Sequence, residues 1–122
     1  MTIPIYEGNL PPAVARDFEF AHVISVRGEA YPLLFARRYD SPKLIPLSAY
    51  NELKNRALDS ARLNLAKLLG KLDQEGTPIS LVADVRVQRE IKTSKFTDGT
   101  YYPEYQLIIE AIGYKRRERK EE

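Results

Sequence analysis

Two short runs in this sequence carry aromatic and basic side chains at close spacing. Arg37, Arg38, Tyr39 and Lys43 make the first, and Lys92, Lys95, Phe96, Tyr101 and Tyr102 the second. Such a mixture holds single-stranded nucleic acid: bases stack on the rings while cations track the phosphates, each stack being worth roughly 1–3 kcal/mol. The plainer alternative is that Tyr and Phe favour strands and that Lys and Arg guard strand edges against aggregation. Phe96 stands among polar turn residues, where it has no evident core role.

Other chemistry finds less support. His22 is the only histidine. It lies within an alternating apolar run, without a nucleophile, an orienting group or further metal ligands at suitable spacing. The carboxylates Asp84, Glu90, Glu104 and Glu110 fall close together in a hairpin reading of residues 79–111. There Glu104 faces Lys92 and Glu110 faces Arg86, the pattern of a solvated sheet face rather than an acid–base pair. Cysteine is absent, which excludes disulfides, thiolate catalysis and Cys-ligated zinc. No Gly-rich phosphate loop, nucleophile elbow or nucleotide fingerprint occurs. The chain reads as non-catalytic, with no metal and no cofactor.

The charge balance limits what a nucleic-acid site would look like. The net charge of +2 resides in residues 115–122, with five basic and three acidic side chains, leaving 14 of each sign in residues 1–114. A basic fold of the duplex-binding kind is therefore missing, and any such site is a local patch. Charged residues make up 30% while Asn and Gln are scarce, a thermophile-like composition. The first thirty residues lack a basic segment followed by an apolar one, and no apolar run approaches a membrane span. A soluble, cytoplasmic protein is expected.

The elements that position these residues follow from periodicity. Residues 1–17, with Pro4, Pro11 and Pro12, read as an extended N-terminal arm suited to an edge. Apolar alternation from Phe18 to Arg27 marks a strand, and Gly28-Glu29 suits a type II′ turn. That turn pairs Val26 with Tyr31, His22 with Phe35, Phe18 with Tyr39 and Glu19 with Arg38, making a first hairpin. Its large face (Phe20, Ile24, Leu33, Phe35) is expected beneath a helix, with Phe18, Arg37 and Tyr39 at the rim. Ala21, Val23, Ser25, Leu34 and Ala36 form its other face, apolar enough to call for a partner.

Ser48 is the expected N-cap of that helix, and Leu53, Ala57, Leu58, Ala61, Leu65, Leu68 and Leu72 its buried stripe. Gly76 and Pro78 end it after about 27 residues, or roughly 40 Å. Leu63 falls off the stripe. A second hairpin follows. A three-residue Thr97-Asp98-Gly99 turn brings Ile79, Leu81, Ala83, Val85, Val87 and Ile91 onto one face with Tyr105, Leu107, Ile109 and Ala111. The expected fold is α+β, in the order β-β-α-β-β: a four-stranded antiparallel sheet with one long helix packed on one face. It fills residues 18–114 as a single domain and leaves 115–122 as a charged, disordered tail.

That order, the missing cysteine, the thermophile-like composition and the aromatic–basic strand ends resemble the archaeal ThermoDBP-related single-stranded DNA-binding proteins. The resemblance covers roughly residues 18–114. It implies a small intracellular protein that binds single-stranded DNA or RNA in a cleft beside the sheet, as a homo-oligomer, a dimer or higher. The competing expectation is a structural or assembly protein, viral assembly included, whose open sheet face mediates oligomerisation.

Overall fold

The structure, a computed structural model, describes residues 3–32 and 37–118. A short helix, α1 (Pro12–Ala15), precedes strand β1 (Phe18–Ala30); a 3-10 turn (Pro42–Leu44) and the long helix α2 (Leu47–Gln74) follow. Strands β2 (Leu81–Thr97) and β3 (Thr100–Arg116) complete the fold. The sheet has three antiparallel strands in the order β1-β3-β2. The four-stranded sheet and the β-β-α-β-β order are thereby corrected: the described residues give β-α-β-β. Among them, no helix is long and apolar enough to cross a membrane.

Gly28 explains the difference. β1 runs straight through Gly28-Glu29, pairing Gly28 with Leu107 and Glu29 with Gln106 of β3. A Cβ at position 28 would fall onto the Ala57 carbonyl oxygen and within 2.7 Å of the Ala61 Cβ. The glycine is therefore the place where α2 crosses the sheet in direct contact, a use of the missing side chain that competes with a turn. Its consequences run through the register. Phe18 faces Arg116 instead of Tyr39, Glu19 faces Lys115 instead of Arg38, Val26 faces Ile109 instead of Tyr31, and His22 faces Gly113 instead of Phe35. The span expected to form the second strand falls partly on 33–36, which lie outside the described residues, as do residues 119–122.

The helix forms for the reasons its stripe implies. Leu53, Ala57, Ala61, Leu65 and Leu69 are buried, each leucine contributing about 2 kcal/mol by leaving water. Tyr50, Leu58, Leu68 and Leu72 pack around them, and Leu63 is exposed. Pro46, not Ser48, is the N-cap. At the other end Gly76 (φ +73°) donates to the Asp73 carbonyl and Thr77 to that of Leu72, the paired bonds of a Schellman stop. Ile24, Val26, Gly28 and Ala30 of β1 meet this face, with Tyr105, Leu107, Ile109 and Ala111 of β3. The helix also closes part of the β1 edge. Asn64 Nδ2 donates to the Arg27 carbonyl at 2.6 Å, and Ser60 Oγ accepts from the Glu29 amide at 3.3 Å.

Three bulges set which side chains face α2. One at Ala21, between Phe20 and His22, turns Phe20 out, 58% exposed rather than beneath the helix, and leaves His22 exposed. Another at Gln88 moves Glu90 to the helix side, where it accepts from Lys54 at 2.8 Å. The Lys54 ammonium holds the Glu90 carboxyl below its ordinary value, with Tyr105 adding to the effect. Burial, then the nearby Glu90 charge, raises the Tyr105 phenol, although its hydroxyl finds no well-aligned partner. The third bulge holds Asp84 at φ +55°. Its carboxylate accepts from the Leu10 amide at 3.0 Å and from the Tyr114 hydroxyl. Residues 4–8 run along this edge of β2, Tyr6 N donating to Val82 O at 2.7 Å and Asp84 N to Gly8 O at 2.9 Å.

Two outcomes follow from these contacts. Gly28→Ala is expected to destabilise the fold by about 3 kcal/mol in urea unfolding. Adding Ala61→Gly should not restore it, because the obstructing atom includes backbone. The hydrogen bond to Asp84, and burial after it, push Tyr114 up to about 12. The folded pKa lies above the unfolded one, so the stabilisation is complete below about pH 10 and is lost as pH rises towards 12. Tyr114→Phe should therefore cost about 1–2 kcal/mol at pH 8, and its gap to the wild type should narrow by pH 11 in the same assay.

Candidate nucleic-acid interface

The far end of the β2–β3 hairpin gathers most of the aromatic and basic residues singled out in the sequence. Asp98 (φ +54°) and Gly99 (φ +79°) make the turn, and Thr97 pairs with Thr100. This is a two-residue loop with both central residues left-handed, the type I′ geometry that matches the twist of the strands, in place of the expected three-residue turn. The register is accordingly one residue out near the tip. Lys92 faces Tyr105 and Thr93 faces Glu104, where Lys92 and Glu104 were expected to pair. The Gln88 bulge then absorbs the offset, so that Arg86 does meet Glu110, at 2.8 Å.

Around the tip, Phe96 faces Tyr101 and Lys95 faces Tyr102. The Phe96 and Tyr101 rings lie 5.0 Å apart at 54°, a tilted arrangement that suits their quadrupoles. The first cluster arrives from the other side. Tyr39 forms an isolated antiparallel bridge with Tyr101, each amide donating to the other's carbonyl at 2.8 and 2.7 Å. That bridge places Arg38 over the Tyr102 ring, 5.5 Å from its centroid, while Arg37 lies 5.4 Å from that of its neighbour Tyr39. Two runs more than fifty residues apart thus meet in one patch. Phe96 is 59% exposed there.

Arg37, Arg38, Tyr39, Lys95, Phe96, Tyr101 and Tyr102 are brought together. Lys43 sits in the 3-10 turn, which packs against β3, with its amide capped by Ser41 Oγ at 3.3 Å. Lys92 stands apart, three residues or roughly 10 Å further down β2. Alternation divides the patch between the two sheet faces: Lys95, Tyr102 and Arg38 on the open one, Phe96 and Tyr101 on the helix side. It is a ringed tip rather than a flat platform.

Tyr31, expected opposite Val26 in the first hairpin, is an addition to the site. It is exposed, and its hydroxyl donates to Glu29 Oε2 at 2.8 Å. That bond and the Glu29 charge raise its pKa, with smaller effects from burial and from Glu104 and Tyr102 at the tip. The Tyr31-Pro32 sequence was the available signal, since a proline beside the aromatic interrupts strand pairing.

The carboxylates do not form a common site. Glu110 is held by Arg86, Glu90 by Lys54 on the helix side, and Asp84 by Leu10 and Tyr114. Among the described residues no three His, Cys, Asp or Glu side chains are grouped to hold a metal ion. No family model matches this chain, and neither a curated protein nor a solved structure matches it.

The type I′ turn gives a direct test of how the patch is held. Gly99→Ala places a Cβ on a left-handed residue and should cost about 1–2 kcal/mol. Amide hydrogen exchange should quicken most at Lys95, Phe96, Tyr101 and Tyr102 and little in α2.

Proposed function

We propose that this protein is a non-catalytic single-stranded nucleic-acid-binding protein that engages DNA or RNA at the hairpin tip. The observation that carries the reading is the Tyr39–Tyr101 bridge, because it joins two aromatic–basic runs into one surface. Phe96, Tyr101, Tyr102 and Tyr39 supply rings on which bases stack; Arg37, Arg38, Lys43 and Lys95 supply cations for phosphates. Lys92 extends the cationic path along β2. A cytoplasmic setting belongs to the same proposal. The tip alone supports this reading, since the four-strand order behind the likeness to ThermoDBP-related proteins has given way to β-α-β-β.

Three cations at the patch, with Lys43 of the nearby 3-10 turn as a fourth, predict a modest salt dependence. The logarithm of the oligo-dT affinity should fall against log salt with a slope of about −3, at roughly 0.7 per phosphate contact. Phe96→Ala or Tyr102→Ala should each weaken binding about 5- to 150-fold, the equivalent of one lost stack. No binding of labelled oligo-dT at low salt would overturn the reading.

A second reading, assembly into a homo-oligomer, draws on the opposite edge. β1 is an edge strand, and its own Phe20 and Val23 are 58% and 57% exposed, an arrangement open to pairing with another copy. Light scattering with and without Val23→Lys tests it. A dimer that the lysine dissolves supports assembly, and a strict monomer removes it.

A further inference from the structure

At the end of the sheet remote from the hairpin tip, an open cavity of about 530 Å³ is lined by Arg16, Asp17, Phe18, Arg116, Arg117 and Glu118. It lies where β1 begins and β3 ends, fourteen residues along β3 from Tyr102, or roughly 45 Å at about 3.3 Å per residue. We propose that this cavity binds the terminal phosphate of a nucleotide. The proposal does not rest on the tip.

The cavity wall carries three guanidinium groups against two carboxylates, and no ion pair within 4.0 Å joins them among the described residues. Two of the three are held in place. Arg117 donates through Nε to the Phe18 carbonyl at 2.9 Å, and its own amide donates to the Asp17 carbonyl at 2.8 Å. Its terminal nitrogens are left to engage a ligand. Arg116 lies 5.9 Å from the centroid of the Phe18 ring, which limits where its fork can swing. Arg16 caps the C-terminal end of α1 and reaches the same space.

Planar forks already positioned by backbone and ring contacts lose little freedom on binding and match phosphate oxygens two at a time. A doubly charged phosphomonoester suits three such groups better than the single charge of a diester. The volume exceeds what a bare phosphate fills and lies in the range of small-molecule sites. The Asp17 and Glu118 carboxylates accept hydrogen bonds, which a nucleoside body offers through its hydroxyl and base N–H groups and inorganic phosphate does not offer in that position. The phosphate can come from a free mononucleotide or from the 5′ end of a strand.

NMR titration of the full chain with dTMP, thymidine and inorganic phosphate tests the assignment. dTMP should shift the resonances of Asp17, Phe18, Arg116 and Arg117, while thymidine should not. Arg16→Ala with Arg116→Ala, both exposed positions, should weaken dTMP about tenfold or more and leave 5′-hydroxyl oligo-dT binding at the tip unchanged. Arg117→Lys, which keeps the charge and loses the fork, should also weaken dTMP. Tighter binding of 5′-phosphorylated than of 5′-hydroxyl oligo-dT assigns the ligand to a strand end; equal binding, with dTMP still bound, assigns the free nucleotide. Thymidine acting like dTMP, dTMP shifting only tip residues, or phosphate displacing dTMP at equal concentration would overturn the proposal.

Discussion

Helix α2 lies against the sheet where Gly28 of β1 meets Ala57 and Ala61, with no side chain from position 28 between them. Close helix–sheet contact of this kind leaves one residue type available at the crossing point, since any Cβ would meet helix backbone. Everything outward from that point follows its spacing. The small Ala57 and Ala61 sit over the glycine, while Leu53 on one side and Leu65 and Leu69 on the other fill the wider gaps. Because β1 continues through the crossing, its partner is the last strand of the chain, and β3 becomes the central strand of the sheet.

The central position of β3 is what brings distant chemistry together. One end of β3 receives Tyr39 and the first aromatic–basic run; the other end lies beside the start of β1, with Arg116 and Arg117 against Phe18. The long sides are occupied differently. α2 covers one face and, through Ser60 and Asn64, part of the β1 edge, while the N-terminal segment pairs with β2 near Val82. Cations and rings thus gather at the two ends of one strand, the tip drawing on residues 37–102 and the other end on Arg116 and Arg117 of the basic C-terminal segment.

The helix was legible because its signals agree: a leucine–alanine stripe at helical spacing, a glycine at the stop and a proline beyond it. The fully buried positions follow a constant spacing of four from Leu53 to Leu69, so Leu69 is buried while Leu68, which the expected stripe included, packs at its margin. The first hairpin was misread because Gly-Glu has the same appearance as a turn and as a crossing point, and only the helix packed above it distinguishes the two. Bulges were not legible either. Ala21, Gln88 and the Asp84–Val85 pair look like ordinary alternating strand residues, yet each changes which neighbours face inward. The two runs that form the tip could be recognised by composition, but their meeting depends on strand order, which no local pattern records.

The central functional claim is that the Arg37–Tyr39 run and the hairpin tip act as one surface. Chemical-shift mapping during titration with a short 5′-hydroxyl oligo-dT tests it most directly. Arg38 and Tyr39 should shift together with Lys95, Phe96, Tyr101 and Tyr102, along one binding curve. Shifts confined to one run, or centred on Phe20 and Val23 at the β1 edge, would contradict it.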